Sequence, residues 1–378
     1  MLTLTPFYPN QQDEAQGCFV AEPLAAVAQL GIVNTVLAVQ PFYRARSRAS
    51  PSVLAAHWVR FLALPGGLGL PTSGAFLFAK LLRTVRKIHR STPVHVIHAH
   101  SSLPCGHAAA LLARELGVPF VVTVHGLDAF FTNQVGGYAG AWCQRISRLV
   151  YREAKRVICV SEKVRDQVLE GAGAPVGTTV IYNGVDAQVF APAKNDVGAA
   201  VILSVGNLIP TKGHALLLRA FANVHQQFPA FSCEIIGDGS DLERLRRLAV
   251  NLNIGGKVRF SGRRTRSEVA DAMRRCTLFA LPSRYEGLGC VYLEAMATGK
   301  AVIACRRQGI EEIIHHPTNG WLVGPDDLQE LTAALCALLS DTDLQNRMGD
   351  DARQTVLQGF TLAHQAEQLF QLYQECRA

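Results

Sequence analysis

Acidic residues are missing from a long stretch of the first half of the chain. Residues 23–114 contain no aspartate or glutamate, yet they carry ten bases: Arg44, Arg46, Arg48, Arg60, Lys80, Arg83, Arg86, Lys87, Arg90 and Arg114. The chain of 378 residues has a formal net charge of +7, all of it in residues 1–190, where 17 Lys and Arg face 10 Asp and Glu. Residues 191–378 are balanced, with 20 of each sign. Such a block predicts an anionic partner: a membrane surface, a nucleic acid or a phosphorylated substrate.

Other absences exclude whole classes of protein. Charged residues are only 18% and hydrophobic residues 49%, which excludes a disordered chain. The ten cysteines form no C-x-x-C pair, so we expect reduced core cysteines of a cytosolic protein rather than a zinc or redox motif. Residues 61–79 are uncharged but rich in Gly and Pro, so we expect no spanning helix there. The first residues also lack the basic lead and long apolar run of a signal peptide.

Short apolar runs alternate with helix-length segments from end to end, which predicts a parallel α/β architecture. In the first half we expect strands at residues 2–6, 35–39, 94–99, 120–125, 156–160 and 179–182. The pattern then restarts at residues 200–206, followed by strands at 233–237, 258–261, 277–281 and 301–304. The restart predicts a second domain built on the same plan.

The expected organisation is therefore two doubly wound domains, residues 1–190 and 191–360, with residues 183–197 as the linker region. A final helix in residues 361–378 shows apolar residues at helical spacing and is expected to pack back toward the first domain. Ligands of open α/β sheets bind at the carboxyl ends of the strands, so we expect a ligand site in a cleft between the two domains.

The sharpest motif follows the strand at 277–281. Residues 283–289 read Ser-Arg-Tyr-Glu-Gly-Leu-Gly and lead into a short helix that begins near Cys290 and stops at Gly299. The amides of such a glycine-rich helix start favour an anionic group such as a diphosphate. Glu286 and Glu294 could both face the ligand, although spacing alone is equally typical of exposed carboxylates at a helix start.

Two further segments end strands with polar residues. The loop 205–213 places Lys212 at a helix start, where it can supply charge to a phosphate; the neighbours Thr211 and Gly213 exclude a Walker A motif, and a solvated lysine is the alternative. Residues 122–128 carry His125 and Asp128 at a strand end. Upstream histidines suggest a metal, but no carboxylate accompanies them, so we expect hydrogen-bonding roles for His95, His98, His100 and His107.

Taken together, these segments resemble a known family. The glutamate-bearing run 285–299, the loop 206–213, the Val-His-Gly-x-Asp run, Asn183-Gly184-Val185-Asp186 and Ile236-Gly237-Asp238-Gly239 occur in the order expected of the large retaining group of GT-B glycosyltransferases that includes many bacterial polysaccharide enzymes. Residues 8–17 also resemble that group's first acceptor-side loop, so the resemblance is nearly full length. It implies two Rossmann-like domains facing across a cleft and transfer of a sugar from a nucleotide diphosphate sugar.

The resemblance also implies roles for individual residues. Glu294 would bind the donor ribose, Glu286 the hydroxyls of the transferred sugar, and His125 the donor sugar and its phosphate. Lys212 and the amides of Gly287, Leu288 and Gly289 would hold the diphosphate and stabilise the charge that develops as it leaves. Arg263 would border the base, and Gly17 and Asp128 would lie on the acceptor side. Glu286, Lys212 and His125 are therefore the expected catalytic residues.

One position departs from the family pattern. Many relatives carry an arginine where this chain has Asn207, so one of two cations expected on the diphosphate is absent. Arg284 is a candidate for the missing charge. Similar proteins need no metal or other cofactor for the chemistry, so the resemblance implies none here. Retention is expected by front-face attack, with the departing phosphate accepting the proton of the acceptor.

The acid-free block contains an amphipathic segment. Residues 73–90 predict a helix with a cationic face, which favours an interfacial position on an anionic membrane over an ordinary solvated helix. Nucleic acid is not expected as a partner, because no interleaved aromatic platform or nucleic-acid-binding motif accompanies the bases.

The sequence thus predicts a cytoplasmic glycosyltransferase, peripheral on the inner face of the membrane, that acts on a lipid-linked or surface-polysaccharide acceptor. The alternatives are a non-catalytic nucleotide-sugar-binding or scaffold protein on the same fold and, less favoured because neither domain opens with G-x-G-x-x-G, a dinucleotide oxidoreductase.

Overall fold

The computed structural model describes residues 1–11, 13–44, 55–64, 69–130, 135–193 and 200–377. The chain divides into two compact units, Met1–Asn183 with Ala363–Ala378, and Gly184–Leu362. The chain passes from the first unit to the second after Asn183, earlier than the boundary expected between residues 190 and 191. It returns to the first unit after Leu362, later than the boundary expected between residues 360 and 361. These two passages are called the first and the second crossing. Arg46 and Arg48 of the basic block and residues 194–197 of the expected linker lie outside the described residues.

The first unit is built on a parallel sheet. In its described residues the sheet has seven strands in the order β3-β2-β1-β4-β5-β6-β7. The strands are β1 (Leu2–Thr5), β2 (Thr35–Pro41), β3 (Ala56–Phe61), β4 (Ile97–His100), β5 (Phe120–Val124), β6 (Arg156–Cys159) and β7 (Thr178–Val180). Every residue of β4 and β5 is buried, as expected of parallel strands covered by helices on both faces.

Helices connect these strands and cover the sheet. They are α1 (Cys18–Gln29), α2 (Gly69–Ser91), α3 (His107–Leu116), α4 (Gly137–Glu153) and α5 (Glu162–Ala172). The amphipathic helix expected at 73–90 is thus present as α2, four residues longer at its start, and it buries Leu77, Leu81 and Val85 while its bases stay outside. A π-helical turn, Ser102–Gly106, separates β4 from α3.

The second unit repeats the plan. Its described residues form a six-stranded parallel sheet in the order β10-β9-β8-β11-β12-β13. The strands are β8 (Val201–Val205), β9 (Ser232–Ile236), β10 (Val258–Gly262), β11 (Leu278–Ala280), β12 (Ala301–Cys305) and β13 (Trp321–Val323). The expectation of two doubly wound α/β sheets is confirmed. Strand order reverses on either side of β8, which is the place where open α/β sheets bind ligands.

The helices of the second unit are α6 (His214–His225), α7 (Leu242–Asn251), α8 (Arg266–Arg275), α9 (Cys290–Ala297), α10 (Leu328–Ser340) and α11 (Thr342–Gly359), with 3-10 turns at Pro210–Lys212, Gly255–Lys257 and Gly309–Glu312. The expected linker is packed where it is described: Val185 and Phe190 are buried, and Val185 pairs with Thr361. The first crossing of the chain therefore lies beside the second.

The last helix, α12 (Leu362–Arg377), belongs almost entirely to the first unit. Its residues Ala366, Leu369 and Tyr373 pack in one apolar cluster with Val121 and Ile158 of the first sheet. The helix thus covers a face of the first sheet although the whole second unit precedes it in the chain. Over the described residues, no helix combines the length and the apolar character that a membrane crossing requires.

Candidate functional site

Two loops of the second unit lie side by side because β8 and β11 are neighbours in its sheet. The first loop follows β8 and ends in the 3-10 turn Pro210–Lys212, and the second follows β11 and leads into α9. The backbone N–H of Arg284 in the second loop donates to the carbonyl of Thr211 in the first at 2.7 Å. The topology therefore brings together two motifs that are far apart in the sequence.

Lys212 and Glu286 meet at this junction. Lys212 Nζ donates to Glu286 Oε1 at 2.6 Å, and Ser283 Oγ donates to the same oxygen at 2.8 Å. Glu286 is 8% exposed and the Lys212 side chain 21%, so the pair is shielded but reachable. The structure thus joins two of the three residues expected to be catalytic.

The turn that carries Glu286 is held by a residue that the sequence analysis did not single out. The side chain of Gln308 accepts the backbone N–H of Glu286 at 2.9 Å and donates to the carbonyl of Arg284, also at 2.9 Å. Gly289 ends the turn with φ +90°, and a Cβ there would lie 2.6 Å from the ring of Tyr292. The expected diphosphate amides of Gly287, Leu288 and Gly289 therefore lie in a rigid turn at the start of α9.

Glu294 lies in α9 and is 7% exposed. It forms an ion pair with Arg266, the first residue of α8, and the Arg266 guanidinium stacks over Phe190 with its carbon 4.8 Å from the ring centroid. No motif in the sequence marked Arg266 as the partner of Glu294, because the contact depends on how α8 and α9 are placed.

The remaining donor-side residues are more open to solvent. Asn207 is exposed in the loop after β8. Arg263 follows β10, and its Nε lies 3.8 Å from Asp238 Oδ2, with both side chains more than half exposed. Arg284, the candidate replacement for the cation missing at Asn207, donates instead to Asp326 at 2.7 Å. Its charge is therefore already paired within the second unit.

In the first unit, His125 and Asp128 lie just beyond the carboxyl end of β5. Asp128 Oδ1 accepts the backbone N–H of His125 at 2.9 Å, so the two residues form one tight turn. Burial raises the pKa of Asp128 to about 6, although hydrogen bonds from the backbone of the same turn oppose the shift.

A cluster of histidines surrounds this turn. His100 Nδ1 and His125 Nε2 lie 3.1 Å apart with the rings stacked, and His98 is held between Thr123 Oγ1 and the hydroxyl of Tyr373, each at 2.7 Å. Burial lowers the pKa of His98 and of His125 to about 3, and that of His100 well below its ordinary value. All three rings are therefore neutral near pH 7. Tyr373 comes from α12, where the sequence suggested only an apolar face.

Gly17 is placed beside the same cluster. It precedes α1 with φ +74°, and a Cβ there would lie 2.4 Å from the carbonyl carbon of Phe7. The rings of Phe7 and Phe19 meet His125 edge-on at centroid distances of 5.8 and 4.8 Å. The first unit thus brings Gly17, His125 and Asp128 into one region at the carboxyl ends of β1 and β5.

In the described part of the chain, no set of three or more His, Cys, Asp or Glu side chains is arranged to hold a metal ion. The histidines at the strand ends of the first unit instead bond to Thr123, to Tyr373 and to one another.

Comparison with known proteins agrees with the fold and the motifs. Residues 20–189 match the model of Glycosyltransferase Family 4, and residues 187–355 match that of Glycosyl transferases group 1. An uncharacterised glycosyltransferase of Methanocaldococcus jannaschii is 30% identical over 270 residues, which are 71% of this chain and 72% of that protein.

Solved structures share the fold over nearly the whole chain. Sucrose-phosphate synthase from Thermosynechococcus elongatus has a TM-score of 0.80 at 22% identity, covering 99% of this chain and 98% of that one. Anabaena HepE in complex with UDP-glucose has a TM-score of 0.76 at 21% identity, covering 99% of both chains. With the family models, the archaeal relative and the two doubly wound sheets all in agreement, the chain belongs to the group 1 glycosyltransferases of GT-B fold.

Proposed function

We propose that this chain transfers a hexose, with retention of configuration and without a metal, from a nucleotide diphosphate sugar to a hydroxyl of a lipid-linked or surface-polysaccharide acceptor. The observation that carries the proposal is the Lys212–Glu286 ion pair at the start of α9. A cation and a carboxylate side by side, next to a helix start, suit a substrate that presents a diphosphate and sugar hydroxyls together.

Each group has a distinct task in this proposal. The Lys212 ammonium stabilises the negative charge that grows on the diphosphate as the glycosidic bond breaks. Glu286, which already accepts hydrogen bonds from Lys212 and Ser283, accepts further ones from sugar hydroxyls. It does not act as a nucleophile; the departing phosphate accepts the acceptor proton. Glu294 and Arg263 take the nucleoside, with Asn207 as a neutral hydrogen-bond donor.

The donor class has support from the structural neighbours. HepE was solved with UDP-glucose, and sucrose-phosphate synthase, by its name, makes a phosphorylated sugar product. We propose a nucleotide sugar of this kind as donor, with Gly17 and Asp128 of the first unit on the acceptor side and His125 assigned to the donor sugar and its phosphate. The neutral histidine cluster suits hydrogen bonds to sugar hydroxyls rather than charge pairing.

The test of transfer is a panel of UDP-, GDP- and ADP-sugars assayed for hydrolysis, transfer and binding, with and without a chelator. We expect one donor to turn over, equally well with chelator present. Binding of a donor without turnover across a range of acceptors would instead favour the non-catalytic alternative, and neither binding nor turnover with any donor would contradict the proposal.

The site assignment has a matched control within the same unit. Glu286→Gln should abolish most turnover, whereas Glu234→Gln should not. Glu234 is also buried, and it likewise accepts from a cation and a serine, Arg259 and Ser261, each at 2.5 Å. Equal loss in both variants would show that Glu286 matters only for stability.

We further propose that the protein is peripheral on an anionic membrane, docked through α2. Lys80, Arg83 and Lys87 are exposed on that helix, and each base near an anionic surface contributes about 1 kcal/mol. Arg86, also expected to dock, pairs with Glu115 at 2.5 Å and contributes less. Neutralising Lys80, Arg83, Arg86 and Lys87 together should lower sedimentation with anionic vesicles, and unchanged sedimentation would refute docking.

A further inference from the structure

Helix α4 exposes large aromatic and aliphatic side chains on its outer face. Tyr138 is 96% exposed, Trp142 49% and Leu149 43%, and Arg145 and Arg152 are exposed on the same face. These five residues follow one another at intervals of three or four, so they form one stripe along the helix. The opposite face is ordinary core, with Cys143, Ile146 and Val150 buried.

Helix α2 exposes a stripe of the same spacing. Phe76 is 38% exposed, and Lys80, Arg83, Lys87 and Arg90 continue its line along the outside of the helix. The two helices contact one another on the same unit. The stripe on α2 is mostly cationic, and the stripe on α4 combines two aromatic residues and a leucine with two arginines.

The helices that carry these two stripes have few carboxylates of their own. Helix α2 has no acidic residue, and the single acid of α4, Glu153, forms an ion pair with Arg114. The acid nearest the stripe of α2 in α3, Glu115, is paired with Arg86. Both stripes therefore keep a net positive charge.

The residue types on the two stripes indicate an anionic bilayer as the partner. Tyr and Trp have an apolar ring and a polar tip, which suits the headgroup level of a bilayer, and Arg and Lys bury their stems while the charge stays in water. An amphipathic helix with such residues lies in the plane of the interface, and the cations add attraction to anionic lipids. A nucleic acid would account for the bases but leaves Leu149 and Phe76 without a function.

We propose that α4 is the aromatic half of the docking surface and that it inserts Tyr138, Trp142 and Leu149 into the headgroup region of an anionic bilayer, beside the cationic half on α2. The inference deepens the membrane part of the proposed function and rests on it. It does not depend on sugar transfer. In this arrangement α2 attracts the protein to the surface and α4 holds it at a defined depth.

Trp142 makes the insertion directly measurable. Full-length protein is mixed with vesicles of phosphatidylcholine and phosphatidylglycerol, and with vesicles of phosphatidylcholine alone. With the anionic vesicles we expect the tryptophan emission to shift to the blue and to become protected from acrylamide. Trp142→Phe should remove that shift, because Trp58 and Trp321 lie outside the two stripes. Most of the sedimentation with vesicles should remain.

Truncation tests the energetic role of the stripe. Tyr138→Ala combined with Trp142→Ala should lower the vesicle partition coefficient at least tenfold and leave a remainder that high salt abolishes. For comparison, loss of one cation from α2 should lower it about fivefold. The control is Val250→Ala on α7, a residue 67% exposed in the second unit, which should change nothing. Because the substituted side chains are exposed, we expect these variants to fold as the parent does, and circular dichroism checks this.

Three results would overturn the inference. Unchanged Trp142 emission in protein that sediments with anionic vesicles would show docking through α2 alone. Equal partition of the Tyr138→Ala, Trp142→Ala variant and the parent would remove the aromatic stripe from the interface. Concentration-dependent self-association that the same variant abolishes, without vesicle binding, would assign the stripe to a second copy of the chain. Each result is independent of any sugar-transfer assay, so failure of the transfer proposal stays distinguishable.

Discussion

The two units place different chemistry at the carboxyl ends of similar sheets. The first has neutral rings there: His98 and His100 are buried and His125 is half-buried, and they bond to hydroxyls or to each other. The second has ion pairs, Lys212 with Glu286 and Arg266 with Glu294. Of the eight described bases of the acid-free block, six lie on the helices α2 and α3, while the charges of the second unit are paired close to its candidate site.

In the proposed function, the two units serve two kinds of recognition. Neutral histidines bind hydroxyls without attracting or repelling charge, which suits a saccharide. Paired charges can be redirected when a charged substrate arrives, which suits a diphosphate. The following changes test that contrast in order of expected effect.

Removal of the second unit's central cation should have the largest effect. Lys212→Ala should lower kcat by about 10²–10³-fold, the loss typical of one group that stabilises transition-state charge. The measurement is steady-state turnover of whichever donor the panel identifies. Arg259→Ala removes a cation from the comparable Glu234 pair and should leave kcat within about twofold; a similar loss in both would contradict a specific role for Lys212.

Acid should weaken the first unit more than the second, because the first has three histidines whose pKa burial lowers at its strand ends, whereas the second has His214, whose pKa burial lowers to about 4. A histidine whose folded pKa lies below its ordinary 6.5 binds protons more readily when unfolded, so stability falls as the pH drops from about 6.5 toward 3. The slope is up to about 1.4 kcal/mol per pH unit for each histidine. Asp128, with its raised pKa, acts in the opposite direction between its folded value of about 6 and its ordinary 3.8.

Hydrogen exchange read peptide by peptide measures this difference. Between pH 7 and pH 5, corrected for the intrinsic exchange rate, we expect peptides of β4 and β5 to lose protection while those of β11 and α9 keep theirs. His125→Gln should make the loss shallower. Equal loss of protection in both units would show that the histidine cluster does not govern acid sensitivity.

A smaller loss of stability should follow removal of one hydroxyl from the cluster. Tyr373→Phe leaves His98 Nδ1 buried without its partner, which costs about 1–2 kcal/mol of unfolding free energy. Urea denaturation measures it. Tyr138→Phe removes a hydroxyl from a residue 96% exposed and should change the free energy by less than about 0.5 kcal/mol.

The smallest effect should come from a cation that is already paired. Arg284 and Asp326 are each 55% exposed, so Arg284→Gln should cost less than about 1 kcal/mol in stability. Because its charge is bound to Asp326, we also expect kcat within about twofold of the parent. A large fall in turnover would show that Arg284 does replace the cation missing at Asn207.

Much of the architecture follows from the sequence because buried parallel strands form uninterrupted apolar runs, as in β5 and β12. Two strands escaped prediction. Both lie at sheet edges: β3 (Ala56–Phe61) is largely half-buried or exposed, so it lacks an apolar run, and β13 (Trp321–Val323) has only 3 residues. An edge strand of this kind carries little periodic signal.

The candidate site was predictable where a motif carried it. Glu286 and Lys212 stand out by their neighbours in the sequence, but Gln308, Arg266 and Tyr373 do not. Each of these acts across a tertiary contact, from the loop after β12, from the start of α8 and from α12. Such contacts depend on how elements pack, which a single sequence does not encode in any local pattern.

The chain crosses twice between the two units, and this has a consequence for truncation and circular permutation of the protein. The crossings run side by side, with the N–H of Val185 bonded to the carbonyl of Phe360 at 2.9 Å and the N–H of Leu362 to the carbonyl of Val185 at 3.0 Å. Residues 1–183 expressed alone would expose the apolar sheet face that α12 covers. A circular permutant that joins residue 378 to residue 1 would make the first unit, residues 363–378 and 1–183, continuous in sequence. Each unit could then be produced as one uninterrupted segment.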